Sequence, residues 1–306
     1  MSKFLKTVVG FGLLILLFVF SCQKKDENNQ ETILKGKATL YVDESLLPII
    51  EDQEAVFENQ YDAKLHLVAK SENEVLNALL NDTAKIAILA RTLSDKEIKV
   101  FQSKKINPKI TPFASDAIAF IKNKKANDTL IALQDIIDFM QGKEVKTIKG
   151  LVFDNPNSST FRHIMTLSNI KVPPQKNIFS FKTNNDVIKY VSENDGMIGV
   201  VGINWLFQPS LEMQQTVDNI NLLSVKDTKT DEFVFPSQDN IASRKYPLAR
   251  DLFIVNCQGY SGLGMGFGSF ITGERGQRIV LKSGLVPVRF PSRKIITRNQ
   301  ITNEIK

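Results

Sequence analysis

Ala38-Thr39-Leu40-Tyr41-Val42-Asp43-Glu44-Ser45-Leu46-Leu47-Pro48 decides the fold. Ala38 to Val42 reads as a strand, and Asp43-Glu44-Ser45 as a turn that opens a helix. Leu46, Ile49, Ile50, Val56 and Phe57 then fall on one helical face. Working outward, Leu65, Leu67 and Ala69 alternate as a second strand, and Ser71-x-x-Glu74 is a capping box before Val75, Leu76, Leu79 and Leu80. Ile86 to Ala90 is a short buried strand, and Ser94-x-x-Glu97 caps the next helix. Strands alternating with helices across short turns predict an α/β sheet covered by helices.

The pattern continues toward the C-terminus. Ala117 to Ile121 and Leu151 to Phe153 read as strands. Leu133 to Met140 reads as a helix ended by Gly142, and Ser159 or Thr160 starts another. Asp186 to Glu193 is helical up to Gly196, Met197 to Val201 is a strand, and residues 208–240 are loop-rich. Leu248 to Asn256 is a long strand, followed by helices around Phe267–Ile271 and Gln277–Leu281.

The N-terminus reads differently. Lys3 and Lys6 precede an apolar run from Val8 to Phe20, then Ser21-Cys22 and a polar stretch. A basic head, a short apolar core and a small residue make a secretory signal. Cys22 stands where the mature chain begins, an arrangement that resembles a bacterial lipoprotein signal with Cys22 lipidated. As a helix the apolar run covers roughly 20 Å, too short for a hydrocarbon core of about 30 Å. Residues 1–21 are thus assigned to the signal peptide and 22–35 to a tether, which places the protein in the cell envelope as a lipid-anchored membrane protein, on the periplasmic face or the outer surface.

Composition narrows the function. Hydrophobic residues make up 42% and charged residues 24%, an ordinary soluble mixture. The formal charge of +6 includes Lys3 and Lys6, which leave with the signal. The remainder is too mild for a nucleic-acid surface but favours encounter with a small anion. Two histidines and Cys257, the only cysteine beyond Cys22, argue against a zinc or iron site. No cofactor is expected. Cys257, in the run Leu252–Cys257, reads as a buried core thiol.

Three turn-to-helix junctions share a property: Ser45, Ser71 and Ser158-Ser159-Thr160 place hydroxyls where helix N–H groups point outward. Such ends bind anions, although each serine is equally an ordinary helix cap. All three follow strands, and ligands bind at the carboxyl ends of strands in open α/β sheets. Arg91 ends the buried strand with a planar fork suited to an oxyanion or to a rim salt bridge. Asp116 precedes the strand Ala117–Ile121. A carboxylate there can accept the proton of monohydrogen phosphate and repel sulfate, or it can close an Asx turn. His163 lies one turn after Ser159 without an orienting partner, so a Ser-His-Asp hydrolase is not supported and no enzyme activity is expected. Gly262, Gly264, Gly266 and Gly268 lack the context of a dinucleotide site.

With these residues in view, the chain resembles the phosphate-binding proteins of bacterial phosphate ABC transporters (PstS-like). The similarity rests on Val42–Pro48, Leu89-Ala90-Arg91-Thr92-Leu93, Asp116–Phe120, Ser158-Ser159-Thr160-Phe161, Gly196–Gly202, Tyr246-Pro247-Leu248-Ala249-Arg250, and the closing Gly276–Val280 with Gly284–Pro287. It runs from about Gly36 to Pro287. Two departures stand out. Asp43 and Glu44 replace small residues of the family's first turn, and Asp154 stands where the family often has an arginine.

The resemblance implies a type II periplasmic-binding-protein fold, two α/β lobes with a ligand cleft between them. Lobe 1 is expected over 36–115 plus 249–290, lobe 2 over 116–248, and a tail over 291–306. It implies a monomer that captures inorganic phosphate, or a similar oxyanion, through Ser45, Ser71, Arg91, Asp116, Ser158, Ser159 and Thr160, and delivers it to an ABC permease. The alternative is a sensor or surface interaction lipoprotein of the same fold that binds another oxyanion or no phosphate.

Overall fold

The computed structural model describes residues 31–292. Cys22, the signal and most of the basic tail lie outside the described residues. In chain order the elements are β1 (Lys35–Asp43), a 3-10 turn (Glu44–Leu46), α1 (Leu47–Gln60), β2 (Asp62–Lys70), α2 (Glu72–Leu80), β3 (Ile86–Leu89), α3 (Asp95–Ser103) and β4 (Lys109–Asn123). There follow β5 (Leu130–Ala132), α4 (Leu133–Met140), β6 (Gly150–Phe153), α5 (Ser159–Leu167), β7 (Ile178–Ser180), α6 (Asn184–Glu193) and β8 (Met197–Gly202). The last third holds α7 (Asn204–Phe207), α8 (Gln214–Val217), β9 (Ile220–Leu222), β10 (Ser224–Lys226), β11 (Phe233–Val234), α9 (Gln238–Ala242), β12 (Ala249–Asn256), α10 (Leu263–Thr272), α11 (Glu274–Lys282) and β13 (Val286–Pro287).

The main sheet runs β2-β1-β3-β12-β4-β8-β6-β7. Two lobes meet along β4. Its first half, to Ala117, pairs antiparallel with β12, which pairs in turn with β3. Its second half, from Ile118, pairs with β8. Parallel β1, β2 and β3 complete the first lobe, and parallel β6, β7 and β8 the second. The chain returns at Leu248, whose carbonyl accepts from Ile118 N at 3.1 Å. The expected strand Ala117–Ile121 is therefore the second half of a 15-residue strand. Pro112 and the polar residues between Lys109 and Asp116 conceal the first half. The loop-rich stretch 208–240 contains β9, β10 and β11, each two or three residues long and too short to show a period.

Packing follows the sequence pattern. One apolar core runs from Leu40 and Phe57 in the first lobe through Phe120 to Val152 and Ile198 in the second. Phe57 is fully buried among the rings of Tyr61, Phe267 and Phe270, with centroids 4.9, 5.4 and 5.3 Å away. Burying such a side chain contributes about 1.5–3 kcal/mol. A smaller core under α2 and α3 contains Val75, Leu79, Phe101 and the buried thiol of Cys257. The glycine-rich run lies in α10. A Cβ at Gly266 would stand 1.5 Å from the carbonyl oxygen of Ile33, so glycine is what lets the N-terminal segment cross this helix. Among the described residues no helix is long and apolar enough to cross a membrane.

Candidate functional site

The centre of the molecule is set by strand register. Arg250 on β12 stands opposite Asp116 on β4, at the border of the two lobes. Directly opposed residues of an antiparallel pair share a face, and here they form a buried ion pair. Arg250 Nη2 lies 2.9 Å and Nε 3.2 Å from Asp116 Oδ2. Burial pushes the Asp116 carboxyl above the ordinary range, and Arg250 opposes that rise. Such a pair is worth little net, but removing one partner strands a charge in the interior.

The rest of the guanidinium joins two helix starts. After β1, Asp43 caps the 3-10 turn by accepting from Ser45 N at 3.1 Å. The Ser45 hydroxyl accepts from Arg250 Nη2 at 3.2 Å. From the second lobe, Ser159 at the start of α5 accepts from Arg250 Nη1 at 2.9 Å. The two hydroxyl oxygens, one from each lobe, are 3.0 Å apart. Ser158 caps α5, accepting from Phe161 N at 3.2 Å. Its hydroxyl is 2.9 Å from Thr160 Oγ1, which donates to Asp154 Oδ1 at 2.8 Å. The first N–H groups of α5 have no intrahelical acceptor, so this end carries both donors and positive dipole.

Further groups enclose the point. Trp205 Nε1 donates to Ser45 O across the lobes at 3.0 Å. A Cβ on Gly202 would stand 2.9 Å from both Ser45 O and Asn204 Oδ1, and 3.5 Å from Arg250 Nη2. Asn204 is buried, and both polar atoms of its side chain lack a hydrogen-bond partner among the described residues. Asp43 is pushed up to about 6, chiefly by burial and against the pull of Arg250. His163 is pushed down to about 4 by burial and by the charges of Arg250 and Arg162, so it stays neutral near pH 7.

The structure brings together five of the seven residues expected from sequence: Ser45, Asp116, Ser158, Ser159 and Thr160. The side-chain hydrogen bonds of Arg91 and Ser71 go to partners other than these five. Arg91 gives Nη1 and Nη2 to Glu97 at 2.9 and 2.8 Å, and Nε to Glu72 at 3.1 Å. Its fork is thus committed to carboxylates, one of which is the capping glutamate of α3. In this structure the fork makes the salt bridge that is the other reading of Arg91. Ser71 donates its hydroxyl to Glu74 Oε2 at 2.6 Å inside its capping box. The guanidinium at the centre belongs to Arg250, within a motif already conspicuous as Tyr246–Arg250 but without an assigned role. The other omissions are Asp43, Asp154, Asn184 and Glu72. Buried Glu72 also takes Arg162 Nη2 of the opposite lobe at 2.9 Å.

Chemically, this is a buried meeting of hydroxyls, a helix N-terminus and a guanidinium from both lobes, backed by carboxylates that can accept hydrogen bonds. It suits a small tetrahedral oxyanion. Residues 28–275 match the model of the PBP superfamily domain. The chain therefore belongs to the PBP superfamily, the periplasmic-binding-protein class. It is 25% identical over 305 residues to the phosphate-binding protein PstS of Borreliella burgdorferi, covering 93% of this chain and 99% of the relative. Among solved structures it is similar to a putative phosphate ABC transporter substrate-binding protein with bound phosphate from Clostridium perfringens. That likeness has a TM-score of 0.70 at 19% identity and covers 83% of this chain and 100% of the other. It is also similar to an ABC-type phosphate transport receptor from Vibrio cholerae, with a TM-score of 0.62 at 15% identity, covering 82% and 100%. These structural likenesses establish the two-lobed α/β fold.

Proposed function

We propose that this chain is the substrate-binding protein of an ABC transporter and captures inorganic phosphate, or a closely similar oxyanion, between its lobes. The observation that carries the reading is the convergence of Ser45, Ser159 and Arg250 at the strand pair that joins the lobes. Binding would add the anion to this set, with donors from Arg250, the serine hydroxyls and the first turn of α5, and with Asp116 accepting a hydrogen bond from the protonated oxygen of phosphate. No bond of the ligand is made or broken. Hinge closure of two lobes is an ordinary transition for such proteins.

In this reading the chain works as a monomer outside the cytoplasm, anchored through lipid on Cys22, and passes its ligand to a permease without nucleic acid. The division into lobe 1 (36–115 plus 249–290) and lobe 2 (116–248) is supported by the change of sheet partner along β4 at Ala117 and Ile118. One observation favours the second reading, a sensor or interaction protein of this fold. Asp154 binds Thr160 and Asn184, so carboxylate stands where the related transporters often offer arginine.

Titration calorimetry with phosphate and with sulfate decides between them. Phosphate binding that exceeds sulfate binding, with the ratio reduced in Asp116→Asn, supports the transporter reading. Heat from neither anion favours the sensor reading.

A further inference from the structure

Away from Arg250, the same cleft holds a second arrangement that anion capture does not use. Glu44 from the first lobe and Asp154 from the second reach the same side chain, Asn184 at the start of α6. Asn184 Nδ2 donates to Glu44 Oε2 at 2.8 Å and to Asp154 Oδ2 at 3.2 Å, and Asn184 N lies 3.3 Å from Glu44 Oε1. Asp154 and Asn184 are fully buried. The other Asp154 oxygen accepts from Thr160. One amide group thus clasps two carboxylates that come from opposite lobes, so this contact forms when the lobes meet.

We propose that Glu44 and Asp154 form a proton-binding site across the lobes, which takes up one proton on closure and makes ligand capture favour acid conditions. The inference rests on the oxyanion-capture reading only for its link to the ligand.

The physical basis is like-charge crowding. Two carboxylates sharing one site cannot both ionise without cost, and burial adds to that cost. The charged groups acting on Glu44 make this plain. Asp154 faces it from the β6–α5 loop and Asp43 from its own turn, both negative, and the one polar group opposing them is the uncharged Asn184. Arg250 acts on Asp43 and on His163, and its guanidinium is occupied by Asp116 and the two serines. Burial first, then Asp154, pushes Glu44 up to about 8. In an open cleft, with Asp154 moved away and Glu44 returned toward water, the two leading causes are relieved and the carboxyl falls back toward the ordinary range. Between those limits closure draws a proton from solution. The sign follows: closure is unhindered below the open-state value and weakens as pH rises toward 8. The weakening is at most about tenfold in affinity per pH unit for one proton.

The test is carboxyl NMR of glutamate-labelled protein saturated with phosphate, followed over pH. One glutamate carboxyl should titrate well above the rest. It should vanish in Glu44→Gln and move down in Asp154→Asn, which keeps the shape but removes the charge. Calorimetry at one pH in two buffers of different ionisation heat gives the complement. Wild type should take up close to one proton more than Glu44→Gln near pH 6.5, and phosphate's own titration cancels in that difference. If phosphate binds and every glutamate titrates in the ordinary range, the proton site is refuted while the capture reading stands. If phosphate does not bind, the capture reading fails, and the same titration of the protein alone decides the proton site: a high-titrating Glu44 sustains it and an ordinary one refutes it.

Discussion

Replacing Arg250 separates the two guanidinium assignments most sharply. In Arg250→Ala, Asp116 keeps its place on β4 but loses both close contacts, at 2.9 and 3.2 Å. Breaking one side of a buried pair costs about 3–5 kcal/mol. At about 2–4 °C per kcal/mol for a chain of this size, the melting temperature should fall by roughly 10 °C. Ligand affinity should fall as well, because a hydrogen bond to a charged group contributes about 1.5–3 kcal/mol. That corresponds to an affinity loss between about tenfold and a hundredfold. Arg250→Lys retains charge but not the fork that reaches Asp116, Ser45 and Ser159 together, so it should lie between wild type and alanine. Arg91→Ala is the control. Its fork ends on Glu97 and Glu72, so it should lower stability while changing phosphate affinity several-fold less than Arg250→Ala. Phosphate calorimetry beside thermal unfolding reads both quantities. Equal affinity in Arg250→Ala and wild type, or a greater loss in Arg91→Ala, would refute the reasoning.

Further expectations can be checked directly. Glu44, raised to about 8 in the fold, contributes stability that is fully present below its unfolded value and is lost as pH rises through 8. Wild type should therefore lose melting temperature between pH 6 and 9 relative to Glu44→Gln in a thermal unfolding series; parallel curves would contradict this. Glu97 has the opposite sign: Arg91 first holds it down at about 2, so its contribution is present above the ordinary carboxylate range and fades as pH falls toward 2. Arg91→Ala should thus flatten the acid limb of the same series. Gly266→Ala should destabilise by about 1–3 kcal/mol, since the new methyl meets the backbone of Ile33; chemical denaturation measures it. Cys22→Ala should leave an unprocessed precursor on a gel, and normal maturation would sink the lipoprotein assignment.

Much of this site was legible because helix starts are local. Ser71 with Glu74 and Ser94 with Glu97 are capping boxes in the fold as in the sequence, and Ser158 caps the helix that carries Ser159 and Thr160. Asp116 stood out as a charge before an apolar strand. Arg250 did not, because its role depends on a register across β4 and β12 that joins residues 134 positions apart. Arg91 sits where a cleft arginine was expected, yet two glutamates claim it first. Glu97 is six positions on and could have warned of this; Glu72 approaches it from another helix. The Glu44–Asn184–Asp154 contact spans three distant segments, so no local pattern encodes it. Acidic residues at two positions where the related family differs were its only trace.

The central claim is that Arg250 and the two serines surround a captured phosphate at the crossing of the lobes. A crystal structure of the protein grown with phosphate tests it most directly. The account predicts a tetrahedral anion within hydrogen-bonding distance of Arg250, Ser45, Ser159 and the first N–H groups of α5. Phosphate bound elsewhere, or a cleft in which these groups contact only one another at saturating phosphate, would contradict it.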